Sequence, residues 1–136
     1  MKTGEMCGGH ENGFLNAFGR EGSRDAGKGQ VVNLDVRRRI ATVDLPGLPH
    51  LGSGISWKRQ GKPVLATPNL KEGVVSIIDM NEWKTIGAIP TNGPGFFLRS
   101  HEKTPYAWVD AMSSPKKDTL QVIDKDSLAV VKSLTP

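Results

Sequence analysis

One phrase, returning three times along the chain, restricts the fold more than anything else in it. Val-Asn-Leu-Asp35, Ser-Ile-Ile-Asp79 and Gln-Val-Ile-Asp124 stand 44 and then 45 residues apart. After each aspartate come a polar turn and a second apolar stretch, at 40–45, 85–89 and 128–134, closing on Pro46, Pro90 or Pro136. Two short apolar runs joined by a polar turn are the pattern of an antiparallel hairpin. A repeat of about 40 to 50 residues carrying about four short strands is the pattern of a β-propeller blade, whose sheet buries both faces only by stacking on neighbours. Further strands are predicted at 55–58, 64–67, 96–99 and 106–109. The expected fold is therefore all-β: the outer hairpin of one blade, then two nearly whole blades, about two and a half in all.

Residues 31–136 cover roughly 2.4 periods, whereas closed propellers use about four to eight blades, so the chain reads as a piece of a larger propeller. A small sandwich of the same strands is the alternative. An open stack leaves sheet edges and a blade face unpaired, which makes the missing blades, or self-association, the expected partners. Residues 1–30 hold eight of the sixteen glycines and neither valine nor isoleucine, and they read as a disordered or loop segment apart from the partial propeller at 31–136. Within them Cys7-Gly-Gly-His10 carries only half of a haem c attachment pattern, and no metal site is expected. The aspartates recur with the period, which assigns them to hairpin turns: a structural part repeats and a single active site does not.

Charge and hydropathy narrow the partners. The formal net charge of +4 permits contact with anions, but the one dense basic run, Arg37 to Arg39, lies in a turn between strands without interleaved aromatics, so nucleic acid is not an expected partner. No run approaches the eighteen or so apolar residues of a membrane span, and no secretory signal is read at the N-terminus.

The stretch from Thr91 to Asp110 looks like one wall of a ligand pocket. Gly93, Pro94 and Gly95 allow a tight turn with close backbone approach, and Phe96, Phe97 and Leu98 anchor the chain beyond the turn in a core. Arg99 and His101 are two residues apart, a spacing that puts both on one face of an extended segment. A fixed cation beside a side chain of the type that titrates near neutrality suits an acidic, redox-active or proton-exchanging ligand.

Leu45-Pro-Gly-Leu-Pro-His50-Leu-Gly-Ser-Gly-Ile-Ser-Trp57, the stretch from Ala66 to Asp79, and Gly93-Pro-Gly-Phe-Phe-Leu-Arg-Ser-His-Glu102 with Tyr106-Ala-Trp108 resemble the C-terminal part of the haem d1 propeller family. That family includes the haem d1 nitrite reductases and the dihydro-haem d1 dehydrogenases of denitrifying bacteria, and the wording is closer to the dehydrogenases. The resemblance covers 31–136. It implies an eight-bladed propeller with haem d1, or its dihydro precursor, in the central cavity, and a periplasmic location. It also implies that His50 and His101 inherit the roles of two distal histidines in proton transfer. Arg99, Tyr106 and Gly95 are the candidate cofactor-binding positions, Arg99 reading either as a clamp on a haem carboxylate or as a surface ion pair with Glu102. The family's proximal iron-ligating histidine and cytochrome c domain have no counterpart in this chain, which suits a fragment of an oxidoreductase. A non-catalytic propeller segment serving protein interaction is the alternative function.

Overall fold

A computed structural model describes residues 4–5, 17–18, 27–33 and 35–135. The Cys7/His10 pair lies outside them, as does most of the expected loop at 1–30. Within that segment Gly4–Glu5 (β1) and Ala17–Phe18 (β2) pair antiparallel. The expected boundary at residue 30 falls inside a strand, because Lys28–Asn33 (β3) starts earlier than the valines suggested and pairs with Arg38–Asp44 (β4). Lys28, Gly29 and Gln30 carry no strand signal of their own. They are held by pairing to Asp44, Val43 and Thr42.

Two four-stranded antiparallel sheets complete the described chain. Ile55–Arg59 (β5), Lys62–Pro68 (β6), Val74–Asp79 (β7) and Lys84–Pro90 (β8) form the middle blade in sequence order. Leu98–Ser100 (β9), Tyr106–Asp110 (β10), Leu120–Asp124 (β11) and Ala129–Leu134 (β12) form the last. With the β3–β4 hairpin this is two and a half propeller blades.

Burial shows why blades stack. In β6 and β7 consecutive residues are buried, because neighbours cover both faces. Val64, Ala66, Val75, Ile77 and Ile89 pack against Leu98, Ala107, Val109 and Ile123 of the last blade. Leu65, Ile78 and Trp83, on the opposite face, pack against Val31, Val43 and Leu45 of the first hairpin. Burying each such side chain stabilises by about 1.5–3 kcal/mol before the entropy of ordering it is subtracted.

The three hairpins share one turn, in a register two residues from the sequence expectation at the first of them. Asp79 Oδ1 accepts hydrogen bonds from the N–H groups of Asn81 and Glu82, and Asp124 Oδ1 from those of Asp126 and Ser127. In the first hairpin the acceptor is Asn33, bonded by the N–H groups of Asp35 and Val36. Four residues beyond each acceptor the backbone turns left-handed, at Arg37, Trp83 and Leu128 with φ of 53°, 53° and 57°. Each ladder also carries a register shift. Asp35 shares the repeated phrase but not the turn's acceptor position, because a side-chain oxygen two residues before the turn's N–H groups is the geometry that caps it.

Candidate functional site

The inner strands β5 and β9 run side by side in the same direction. Their starts meet through His50 and Phe96, and their ends through Trp57, Arg59 and the β11–β12 turn. Two sites result, one at each end.

At the starting end, residues 46–50 and 93–97 form two equivalent loops, each clamped by a polar side chain that comes at the end of the second strand of its blade. Asn69, 1% exposed, accepts the N–H groups of Leu48, Lys71 and Glu72 on Oδ1 and donates to the Pro46 carbonyl at 2.8 Å. Asp110 accepts the N–H groups of Phe96 and Phe97 on Oδ1 and that of Met112 on Oδ2. The Pro-Gly pairs Pro46-Gly47 and Pro94-Gly95 occupy matching places. A Cβ on Gly47 would run into the Asn69 amide, and one on Gly95 into the Asp110 carbonyl. Gly95 is thus required by the approach of β10, and its recurrence as Gly47 marks it as scaffold. The Gly93–Pro94 peptide is cis.

These loops present a row of rings. The half-buried His50 lies edge-on to Phe96, centroids 5.8 Å apart, and Phe96 is 6.4 Å from Phe97. The Arg99 guanidinium lies 5.6 Å from the Phe97 ring centre. His50 is fixed twice: its N–H donates to the Pro68 carbonyl, and Nδ1 sits 2.5 Å from the Phe96 carbonyl oxygen. A carbonyl accepts only, so Nδ1 carries the proton in the neutral ring and Nε2 is left as a free lone pair. Beside Nε2 is Gly52, where an added Cβ would meet that atom at 3.9 Å and nothing else within 4 Å. Arg99 donates from Nη1 to the Leu98 carbonyl and pairs with no carboxylate among the described residues, Glu102 included. Its remaining donors are open.

His101 does not join this row. β9 ends at Ser100, and His101 belongs to the exposed turn beyond it, where Nδ1 accepts the Lys103 N–H and its carbonyl accepts the Thr104 N–H. The two-residue spacing placed Arg99 and His101 on one face only if the strand continued; the turn breaks that alternation. His50 and His101 therefore lie at opposite ends of β9. Tyr106 starts β10 at the His101 end, 40% exposed and on the face turned away from the middle blade. His101 borders a cleft of about 780 Å³ floored by β5 and walled by the β9–β10 and β11–β12 turns. Among the described residues no group of three or more His, Cys, Asp or Glu could hold a metal ion.

Asn69 and Asp110 are the site residues that sequence reasoning missed. The signal for them was present in the two Pro-Gly pairs, with a side-chain acceptor 22 residues beyond the first and 15 beyond the second.

Known proteins share this fold. The family described as the cytochrome D1 heme domain matches residues 16–136. A dihydro-heme d1 dehydrogenase of Pseudomonas aeruginosa is 50% identical over 114 residues, which are 84% of this chain and 23% of that protein. The solved structure of the dihydro-heme d1 dehydrogenase NirN in complex with DHE matches with a TM-score of 0.83 at 45% identity, over 91% of this chain and 26% of that one. Hydrazine synthase of Kuenenia stuttgartiensis, at TM-score 0.70 and 14% identity over 91% of this chain and 34% of its own, shares the fold alone. This chain spans about a quarter of the length of the two dehydrogenases it matches.

Proposed function

The chain belongs to the cytochrome D1 heme domain family, and on that premise we propose that it forms the blades of a haem d1-binding oxidoreductase of the dihydro-haem d1 dehydrogenase type. The observation that carries this reading is the row His50, Phe96 and Phe97, set on clamped loops at one end of the inner strands, with Arg99 of β9 over the Phe97 ring. The residues fit the group. A flat macrocycle with acidic side groups needs an aromatic surface, a cation for a carboxylate and a proton acceptor, and this row offers one of each.

When bound, haem d1 or its dihydro precursor supplies the redox chemistry and the carboxylates. Phe96 and Phe97 offer ring faces and edges that exclude water from one side of a planar ligand. Arg99, whose fork of donors is used only once among the described residues, suits a bidentate carboxylate contact. His50 holds its Nδ1 proton against the Phe96 carbonyl, so Nε2 can take a proton without a change of tautomer. His101 and Tyr106, expected at the same ligand, lie at the opposite end of β9 from His50. Dehydrogenase chemistry is favoured over nitrite reduction by the 50% identity to a dehydrogenase, and a place in denitrification and in the periplasm goes with that proposal.

The test is a chimera in which the matching segment of the Pseudomonas aeruginosa dehydrogenase is exchanged for this chain. It is expected to bind dihydro-haem d1 with the visible spectrum of the parent and to turn it over. His50→Ala in the chimera should keep the bound spectrum while turnover falls by roughly a hundredfold to ten-thousandfold. A folded chimera that binds no haem would favour the protein-interaction role.

A further inference from the structure

The cleft at the other end of the inner strands is built around a cation that the proposed haem chemistry does not use. Lys125 is 9% exposed, yet among the described residues it faces no carboxylate. Its Nζ donates to the Ser100 hydroxyl at 3.1 Å and to the His101 carbonyl at 3.2 Å, both neutral acceptors. An ammonium has three donors, so one is left over. Burying a charge without a counter-charge is costly unless something supplies one. Consistent with that, desolvation holds the Lys125 ammonium below the usual lysine range.

The surroundings are cationic as well. Even with Lys58 left aside, Arg59, Lys103 and Lys125 line the cleft against Glu102 and Asp126, an excess of one positive charge among these side chains. Arg59 spends Nε on the Asp126 carbonyl at 2.7 Å, which fixes its guanidinium across the junction between blades. Trp57 donates from Nε1 to the Lys125 carbonyl and adds an apolar wall. A cleft of about 780 Å³ is of the size that holds a small organic molecule rather than a single inorganic ion.

We propose that this cleft binds a metabolite-sized oxyanion, a molecule bearing carboxylate or phosphate groups, with Lys125 as its buried counter-charge. The ligand bridges the middle and last blades, because β5 belongs to one and Lys125, Lys103 and Ser100 to the other.

Calorimetric titration of the chain at constant ionic strength, with citrate in one arm and inorganic phosphate in the other, tests this. Saturable binding in either arm is expected, and the tighter arm assigns carboxylate or phosphate chemistry to the site. Lys125→Met should weaken binding by about tenfold or more, as for loss of a charge-assisted bond. Lys103→Met, at an exposed rim position, should weaken it by a smaller factor without affecting the fold. Trp57→Phe reports contact, since quenching of tryptophan emission on binding should disappear with it. Heats in both arms no larger than those from chloride would overturn the proposal. So would unchanged affinity in Lys103→Met together with unchanged affinity, or failure to fold, in Lys125→Met.

Discussion

Asn69 and Asp110 decide where the candidate site sits, although neither is a candidate for chemistry. Each pins a Pro-Gly loop to the blade's second strand, and the Asn69 clamp extends to His50 through the Pro68 carbonyl. Asn69→Ala removes the acceptor for three N–H groups and the donor to one carbonyl at a buried position. Leaving such groups unsatisfied costs about 1–3 kcal/mol each where water cannot reach them. A loss of about 2–4 kcal/mol is expected once partial solvation is allowed for, measurable as a lowered urea midpoint at unchanged m. Gly95→Ala should also destabilise, because its Cβ meets strand backbone that cannot swing aside. At this scale the sequence was half legible. Arg99 is legible by its chemistry and His50 by the family motif around it, and the structure sets them on either side of the Phe96–Phe97 pair. The clamps are not legible, since a polar side chain after a strand looks the same whether it faces water or a loop 21 residues away. His101 was misplaced for a different reason: alternation along a strand predicts a face only as far as the strand lasts, and β9 lasts three residues.

The hairpin is the element that the repeat encodes, and it was legible except in register. The strand pairs around Asp79 and Asp124 fall where two apolar runs and a polar turn placed them. At the first hairpin the phrase pointed to Asp35, and Asn33 holds the turn, because backbone N–H groups select the oxygen within reach and not the matching letter. The exchange of aspartate for asparagine at the capping position sets up a pH test. Hydrogen bonds from the Ser127 N–H, then from its side chain, hold the Asp124 carboxyl below the usual carboxylate range. The unfolded chain therefore binds this proton more readily than the folded one, so the contribution is present above the unfolded value and is lost as pH falls through the folded value. Asp124→Asn keeps the acceptor, as Asn33 does, and removes the titration. The variant should lose less stability than the parent between about pH 6 and about pH 3, read from urea midpoints across that range.

At the scale of the whole molecule, burial marks where further structure belongs. The middle blade is covered on both faces, and its central strands β6 and β7 are buried on consecutive residues; the last blade alternates, with Ala107, Val109 and Ile123 inside and Tyr106, Trp108 and Val122 on the other face. Leu120 and Leu134, paired across β11 and β12, are each 37% exposed on that outer face. In a closed ring a neighbouring blade would cover this surface. Without one, an apolar sheet face bounded by an unpaired edge strand is a site for association between copies. The chain alone is therefore expected to sediment as a concentration-dependent mixture, with boundaries that shift to larger species on going from about 1 to about 100 μM, a range suited to weak apolar contacts. Replacing both leucines, Leu120→Lys with Leu134→Lys, puts like charges opposite each other on that face and should shift the mixture toward monomer, while the strand signature in circular dichroism is kept. A single sharp melt from a monomer that stays monodisperse over the whole range would mean that the last blade tolerates water on its outer face. That outcome would overturn the expectation that Leu120 and Leu134 drive association, because only a sheet whose outer face needs no cover unfolds cooperatively with no tendency to pair.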